Sequence, residues 1–308
     1  AWDKTSISCY SIYRGCKIMD YSELKNFKLR YFILFAIGIF IASFILLFLI
    51  DIPASEEWVT FFVSVSCLMY LLHQTKKWNF SFNEQPIHTT MTKGRWAKYL
   101  SITASFQLIT VVFTTILFTI VYLIFEEHIR ELFSFFPMLN LDEVQPSFLV
   151  YVLFFINICI LAPIYEEMLF RGILLRRFTL RWSPQKSIII SSLIFGVIHL
   201  NPINVVFAFA LGCVLGYAYL KTKNIVIPML LHSFNNFLAY LQFVYTNQTT
   251  KLDLPTTEAA QQELMINVAF FFILAAFIIF LLVKYYKNFR QLKNPAPIME
   301  EQTDKEMI

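Results

Sequence analysis

Six polar residues stand in or beside apolar stretches in the second half of this 308-residue chain. They comprise two adjacent glutamates, an arginine, two histidines and an asparagine: Glu166, Glu167, Arg171, His199, His232 and Asn236. Ionisable groups inside a membrane are energetically costly and usually serve a function. These residues are therefore the candidates for a reaction site, and their spacing suggests what each could do.

The two glutamates differ in their expected partners. Glu167 precedes Arg171 by four residues, with the acid on the N-terminal side, so the two can pair on one face of a helix. Glu166 points about 100° away around the helix and can remain unpaired. We expect Glu167 to be structural and Glu166 to be reactive as a general base.

The histidines and the asparagine supply hydrogen-bond groups. His232 and Asn236 are one helical turn apart, and both can donate to a developing oxyanion. His199 follows Phe195 by one turn, and Pro202 should end the helix soon afterwards. Each residue alone is also compatible with a packing role between helices. The functional interpretation rests on the combination of one Glu, two His and one Asn on three apolar segments.

The composition places these residues in a membrane. The chain is 57% hydrophobic and 15% charged, whereas a soluble domain is about half apolar and a quarter charged. Its apolar blocks approach the roughly 20 residues needed to cross a bilayer. We predict an all-α bundle of about eight transmembrane spans in the lipid bilayer: Tyr31–Ile50, Trp58–His73, Tyr99–Phe125, Phe148–Leu169, Ser187–His199, Ile203–Leu220, Ile225–Tyr245 and Met265–Tyr285.

Basic residues predict the orientation of the bundle. They precede the first span and follow the second, fourth, sixth and eighth spans. The loops on the opposite side contain only two basic residues, Arg130 and Lys251. By the positive-inside rule both termini are expected in the cytoplasm. The net charge of +4 is accounted for by the basic residues of these cytoplasmic loops. It therefore does not indicate a nucleic-acid partner, and none is expected. The bias towards Lys, Ile, Phe and Asn favours a bacterial plasma membrane.

The chain divides into four expected parts. Residues 1–30 form a cytoplasmic segment, in which Met19 is a possible start, and residues 31–147 hold spans one to three. Residues 148–245 form the core with all six candidates, and residues 246–308 hold an outer loop, the last span and a cytoplasmic tail. The loop Glu126–Ser147 is expected to include a short amphipathic helix. Five scattered cysteines suggest buried small residues, not a disulfide framework.

The candidate residues resemble the motifs of the CAAX-protease and bacteriocin-processing family of intramembrane endopeptidases. Its motifs EExxxR, FxxxH and HxxxN read here as Glu166 to Arg171, Phe195 to His199 and His232 to Asn236, in that order. The resemblance covers about residues 148–245. It implies that Glu166 with His199 activates water, and that His232 and Asn236 hold the oxyanion. It also implies that Glu167 and Arg171 shape the site, and that the substrate is a peptide or a membrane protein.

Several alternatives remain open. Glu166, His199 and His232 could ligate zinc with a water in the fourth position, although the second histidine and Asn236 favour a reaction without metal. The zinc pattern HExxH, a nucleophile elbow GxSxG and an intramembrane aspartate are absent from the sequence. A non-catalytic peptide-binding or immunity protein need not keep all four groups. A proton-coupled transporter would be expected to have repeat symmetry.

Overall fold

The structure is a computed structural model that describes residues 27–50, 55–77, 82, 91–135, 146–200, 202–249 and 256–290. Within these residues the backbone forms eight helices and no strand. The helices are α1 (Leu29–Ile50), α2 (Ser55–Lys77), α3 (Lys93–Phe135), α4 (Phe148–Thr179), α5 (Pro184–Val197), α6 (Pro202–Thr222), α7 (Val226–Thr249) and α8 (Thr257–Arg290). Met19 and the tail after residue 290 lie outside the described residues.

The predicted all-α membrane bundle is confirmed. In the described part of the chain, α1, α2, α3, α4, α6 and α8 are each long and apolar enough to cross a membrane. The other two predicted spans are also helices. Helix α5 is apolar but has only 14 residues, and the 24 residues of α7 are interrupted by polar side chains that include the candidate residues His232 and Asn236.

Helix α3 runs beyond the predicted third span. Its backbone is non-helical at Phe125 (φ −115°, ψ 24°), where it kinks before continuing to Phe135. The first part of the predicted outer loop, where the amphipathic helix was expected, is therefore the C-terminal end of α3. Residues 136–145 of that loop lie outside the described part of the chain. Beyond the kink, Glu126 accepts hydrogen bonds from Thr257 at 2.8 and 2.9 Å, which ties α3 to α8.

Helix α4 contains two π-helical stretches, Ile156–Leu161 and Met168–Leu175, on either side of Ala162–Glu167. Pro163 is the second residue of the intervening stretch, and a proline lacks the N–H that continues a helical hydrogen-bond ladder. Such π-helical turns are rare and often mark functional sites. The candidate pair of glutamates thus lies between two irregular turns.

Helices α5 and α6 approach each other closely at their glycines. A Cβ atom on Gly196 would lie 2.7 Å from the Val205 carbonyl oxygen, and one on Gly212 would lie 3.0 Å from the Cβ of Ser192. Gly212 and Gly216 form a GxxxG pattern, which permits such backbone contact between membrane helices. This packing fixes α5 relative to the Gly212 carbonyl.

The end of α5 sets the position of His199. The helix ends at Val197, and a turn follows in which the His199 N–H donates to the Gly196 carbonyl. Leu200 then adopts a left-handed conformation (φ 58°), and Pro202 opens α6. The predicted termination before Pro202 is confirmed, with His199 in the turn two residues after the helix.

Arg176 and Arg177, which follow the predicted fourth span, lie in the last turn of α4 and not in a loop. Arg176 is buried and donates to the Phe82 carbonyl at 2.8 Å, while Arg177 donates to the Phe27 carbonyl at 2.9 Å. Phe27 also belongs to a buried cluster that joins α1, α2, α4 and α5. The N-terminal helices are therefore packed directly on the segment that holds the candidate glutamates.

Candidate active site

The centre of the site is a buried carboxylate with two partners. Glu167 is 0% exposed, and its Oε1 lies 2.5 Å from Nη1 of Arg171. The same oxygen accepts a hydrogen bond from Nδ1 of His232 on α7 at 2.9 Å. The expected pair on one face of α4 is present, and it also orients a histidine of another helix.

The buried charge of Arg171 is compensated on three sides. Its Nη1 contacts Glu167, its Nη2 donates to the Gly212 carbonyl of α6 at 3.2 Å, and its guanidinium lies over the Phe195 ring at 4.5 Å. Because a buried ion pair is stable only when its remaining groups are also satisfied, these contacts make α4, α5 and α6 interdependent.

His232 is oriented by its bond to Glu167. A carboxylate oxygen only accepts, so Nδ1 of His232 carries a proton. The opposite nitrogen, Nε2, lies 3.9 Å from Oε2 of Glu166. The imidazole thus joins the two adjacent glutamates, with one nitrogen directed at each.

Glu166 has a more open environment than Glu167. Its side chain is 14% exposed, and its Oε1 accepts a hydrogen bond from the Tyr165 hydroxyl at 3.3 Å. Among the described residues, no lysine or arginine forms an ion pair with it. The two neighbouring carboxylates therefore occupy different environments, as their spacing predicts.

His199 approaches the site through Phe195 and not through a direct bond to Glu166. Its Nδ1 donates to the Phe195 carbonyl at 2.8 Å, which leaves Nε2 as the accepting nitrogen of the neutral ring. The Phe195 ring, 1% exposed, lies 4.9 Å from the His199 ring and 5.6 Å from the His232 ring. Within the described residues, His199 makes no hydrogen bond with Glu166. Phe195 therefore separates the two histidines.

Asn236 has a structural contact that its spacing from His232 does not predict. In the first π-helical stretch the Ala162 N–H bonds to the Asn157 carbonyl, five residues back. The next donor in that pattern would be residue 163, a proline without an N–H. The Ile158 carbonyl is left without that donor, and Nδ2 of Asn236 bonds to it at 2.8 Å. One amide proton of Asn236 is thus engaged, and among the described residues the other has no partner.

A zinc site was the alternative for Glu166, His199 and His232. In the part of the chain that the structure describes, no group of three or more His, Cys, Asp or Glu side chains is arranged to hold a metal ion. Glu166, His199 and His232 are therefore not grouped as metal ligands in this arrangement, and the preference for a reaction without metal stays a prediction.

Sequence reasoning missed four residues in and around the site. Tyr165 donates to Glu166 and Gly212 accepts from Arg171, while Ser64 of α2 donates to Asn157 on the same helix as the glutamates. Gly212 was detectable as part of GxxxG, and Asn157 as an amide in an apolar span. Ser64 offered little signal, because isolated serines are common in membrane helices.

Comparisons with known proteins agree with the three motifs. Residues 147–238 match the sequence model of the Rce1-like type II CAAX prenyl endopeptidase family, a segment that contains all six candidates. The predicted resemblance is confirmed for this segment. The chain is also 35% identical over 86 residues to an uncharacterized 24.3 kDa protein of Escherichia coli, across 26% of this chain and 40% of that protein. No solved structure matches the chain.

Proposed function

We propose that this integral membrane protein is an endopeptidase of the Rce1-like type, which hydrolyses a peptide bond of a membrane-associated substrate. The observation that carries the proposal is the buried unit of Arg171, Glu167 and His232, which directs Nε2 of His232 towards Glu166. A packing role would not require a second carboxylate without a lysine or arginine partner beside this unit.

Glu166 is the proposed general base. An oxygen atom can lie about 2.8 Å from both Glu166 Oε2 and His232 Nε2, because these atoms are 3.9 Å apart. A water near Glu166 gives its proton to the carboxylate while its oxygen attacks the scissile carbonyl carbon. His199 assists by accepting a hydrogen bond from this water at its Nε2. For this, the His199 ring must lie closer to Glu166 than it does in the structure. The proton on Glu166 then passes to the leaving amine as the C–N bond breaks.

His232 and Asn236 are the proposed oxyanion donors. To donate to the oxyanion, His232 must carry a proton on Nε2 as well as on Nδ1, and Asn236 donates with the amide proton that is not bound to the Ile158 carbonyl. Donors held in place before the reaction stabilise the developing charge without reorganisation. Glu167 and Arg171 hold His232 in the required orientation.

We propose that the reaction needs no metal, because two protein donors can provide the electrophilic assistance that zinc would otherwise supply. Purified protein treated with a strong chelator should keep its activity. A stoichiometric metal that is lost together with activity, and whose return as zinc restores it, would contradict this part of the proposal.

The proposed orientation places both termini in the cytoplasm of a bacterium. It rests on the basic residues between alternate spans. Single cysteines introduced between residues 181 and 183 should react with a membrane-impermeant reagent only after the membrane is opened. Reaction of these cysteines in intact cells would reverse the orientation.

The substrate can be found by comparing peptides from cells that carry the wild-type protein or Glu166→Gln. Peptides that depend on the reaction should disappear with Glu166→Gln, which should remain folded in detergent. The matched control is Glu127→Gln, which changes an exposed glutamate of α3. An unchanged peptide profile with folded Glu166→Gln would contradict proteolysis and favour a peptide-binding protein.

A further inference from the structure

Helices α3 and α8 bring two lysines to the same end of the bundle. The two helices run antiparallel, because the start of α8 is bonded to the far end of α3. Halfway along the pair, the Phe113 ring of α3 lies 5.9 Å from the Phe271 ring of α8. Lys98 precedes Phe113 by about four turns, and Lys284 follows Phe271 by about four turns. The packing therefore places Lys98 and Lys284 at one level.

Helix α6 adds a third lysine at this level. The Phe207 ring of α6 lies 5.7 Å from the same Phe113 ring, and Lys221 follows Phe207 by about four turns. Near this end of the bundle, the buried Tyr99 of α3 packs in one cluster with residues of α6. The antiparallel packing of α3 and α6 is thus maintained as far as Lys221.

These three residues, Lys98, Lys221 and Lys284, form a surface that we call the lysine patch. Lys221 and Lys284 are exposed, and Lys98 is half-buried. Lys98 is close enough to the other two lysines and to Arg95 to interact with each of them electrostatically. Folding of the bundle therefore brings positive charges from three helices together.

The helices that form the lysine patch bring no negative charge to it. Residues 93–125 of α3, 202–222 of α6 and 264–290 of α8 contain no Asp or Glu. Like charges repel each other within the screening length of the solvent. An anion bound between the three lysines would offset this repulsion, and lysine is a common ligand of phosphate groups.

The surface beside the lysine patch is apolar. Ile279, Phe280 and Val283 of α8 are 59%, 59% and 70% exposed. Nζ of Lys284 lies 5.8 Å from the centre of the Phe280 ring, so the charged and apolar surfaces adjoin. Trp96 of α3 packs at the edge of the neighbouring cluster, and tryptophan is typical of the headgroup level of a membrane. A ligand with an anionic head and acyl chains matches both surfaces, whereas a free phosphate matches only the lysines.

We propose that the lysine patch binds the phosphate of an anionic glycerophospholipid, whose acyl chains lie along the exposed apolar face of α8. Basic residues between transmembrane helices are suited to such headgroups. In the proposed orientation, the lipid belongs to the cytoplasmic leaflet. The lipid site is separate from the proposed peptidase site, and its test measures binding and unfolding instead of turnover.

The test titrates the full chain, purified in a neutral detergent, with dioleoyl phosphatidylglycerol. A lipid that binds only the folded protein raises the midpoint of thermal unfolding as its concentration rises. Phosphatidylglycerol should raise the midpoint until the site is saturated. Dioleoyl phosphatidylcholine has the same acyl chains but no net charge, and it should raise the midpoint much less. Inorganic phosphate and glycerol phosphate, which lack acyl chains, should leave it unchanged at the same concentrations.

Single variants measure the contribution of each lysine. Lys98→Gln, Lys221→Gln and Lys284→Gln should each weaken phosphatidylglycerol binding about fivefold, which corresponds to about 1 kcal/mol per cation. Without lipid, the unfolding midpoint of each variant should equal or exceed that of the wild type, because one repelling charge is gone. A lysine with a merely structural role would instead lower the midpoint without lipid and leave the affinity unchanged.

A matched control removes the same amount of charge from another part of the bundle. The triple variant of the lysine patch should lose about 100-fold in affinity for phosphatidylglycerol. The control carries Lys28→Gln, Lys76→Gln and Lys77→Gln, which replace three exposed lysines beside the start of α1 and at the end of α2. It should keep the affinity of the wild type.

Every outcome decides for or against the lipid site. Equal losses in the two triple variants would show a general attraction of anionic lipid to positive charge and would overturn the proposal. Equal shifts with phosphatidylglycerol and phosphatidylcholine, or with phosphatidylglycerol and inorganic phosphate, would also overturn it. If Lys98→Gln does not fold, the exposed Lys284 still provides the test, because unchanged affinity in Lys284→Gln contradicts the proposed site.

Discussion

Helices α3 and α4 are both long and apolar with several polar side chains, yet they satisfy those side chains in opposite ways. In α3, five buried or half-buried hydroxyls each donate to the carbonyl four residues back in the same helix, at 2.8 to 3.0 Å: Ser105, Thr110, Thr114, Thr115 and Thr119. A hydroxyl bonded in this way places no demand on a neighbouring helix.

In α4 the polar groups bond across helix interfaces. Arg171 donates to the Gly212 carbonyl of α6, and Glu167 accepts from His232 of α7. The Phe170 carbonyl accepts from Ser191 of α5, and the Ile158 carbonyl accepts from Asn236 of α7. The two carbonyls lie in the π-helical stretches. Substitutions of these α3 hydroxyls should therefore have small effects, and polar substitutions in and around α4 should have large effects.

The largest effect is expected from Arg171→Met. It leaves the fully buried Glu167 without its cation and the Gly212 carbonyl without its donor. Breaking a buried pair from one side costs about 3–5 kcal/mol. We expect a large fall in the midpoint of thermal unfolding in detergent, together with loss of peptide processing.

Two further variants check that the buried charge is the cause. Arg181→Met removes an exposed arginine just after α4 and should leave the midpoint unchanged. Adding Glu167→Gln to Arg171→Met should recover part of the loss, because the buried carboxylate that lost its cation is then replaced by a neutral amide. Equal unfolding midpoints for Arg171→Met and Arg181→Met would contradict the claim that the buried ion pair of α4 stabilises the bundle more than an exposed arginine does.

The next effect is expected from Asn236→Ala. Removal of one oxyanion donor typically slows turnover by about 10²–10³-fold. KM should change little, because the charge develops only in the transition state. The Ile158 carbonyl also loses its donor, so the unfolding midpoint should fall. Both kinetic constants can be measured with an internally quenched synthetic copy of a peptide whose processing is lost with Glu166→Gln.

The neighbouring asparagine provides a matched control. Asn235 donates only a 3.3 Å bond to Oδ1 of Asn236, so Asn235→Ala should have a much smaller effect on kcat. His232→Ala should match or exceed Asn236→Ala, and the double variant should lose less than the product of both. A raised KM at constant kcat for Asn236→Ala would instead indicate a substrate-binding or packing role.

A smaller effect is expected where glycine permits close packing. Gly196→Ala places a Cβ atom 2.7 Å from the Val205 carbonyl oxygen, so the α5 and α6 backbones must separate. Overpacking of this kind costs about 1–3 kcal/mol. Gly38→Ala in α1 is the matched control, since nothing lies within 4 Å of its added Cβ. It should leave the unfolding midpoint unchanged or raise it. A smaller fall for Gly196→Ala than for Gly38→Ala would contradict the close contact.

Sequence reasoning succeeded where a feature depends on neighbours along the chain. The pairing of Glu167 with Arg171 follows from their four-residue spacing, and the apolar blocks follow from the length of a membrane span. The end of α5 before Pro202 likewise follows from the backbone restriction that proline imposes.

The features that sequence reasoning missed depend on contacts between helices. Spacing alone suggests that Asn236 and His232 share one oxygen, but it does not show that Pro163 leaves the Ile158 carbonyl for Asn236 to bind. It also does not show that Ser64 of α2 reaches α4. The roles of the six candidate residues stay predictions, and the variants described here test them.

The smallest effect is expected from Thr114→Val in α3. The Thr114 hydroxyl donates to the Thr110 carbonyl at 2.8 Å, and that carbonyl still accepts the helical bond from the backbone N–H of Thr114 after the change. No buried group is left unpaired, so the free energy of unfolding should change by no more than about 0.5 kcal/mol.

The matched variant is Ser191→Ala. It also removes a hydroxyl that donates one hydrogen bond to a backbone carbonyl, but this carbonyl lies on another helix. The Phe170 carbonyl is in the second π-helical stretch and would lose a donor from α5 at 3.1 Å. An unsatisfied buried group costs about 1–3 kcal/mol, so Ser191→Ala should lower the unfolding midpoint more than Thr114→Val does. Equal shifts would mean that hydrogen bonds across the α4 interfaces stabilise the bundle no more than bonds within α3. The π-helical carbonyls would then be satisfied from within α4, and the dependence of the site on neighbouring helices would rest on the Glu167, Arg171 and His232 unit.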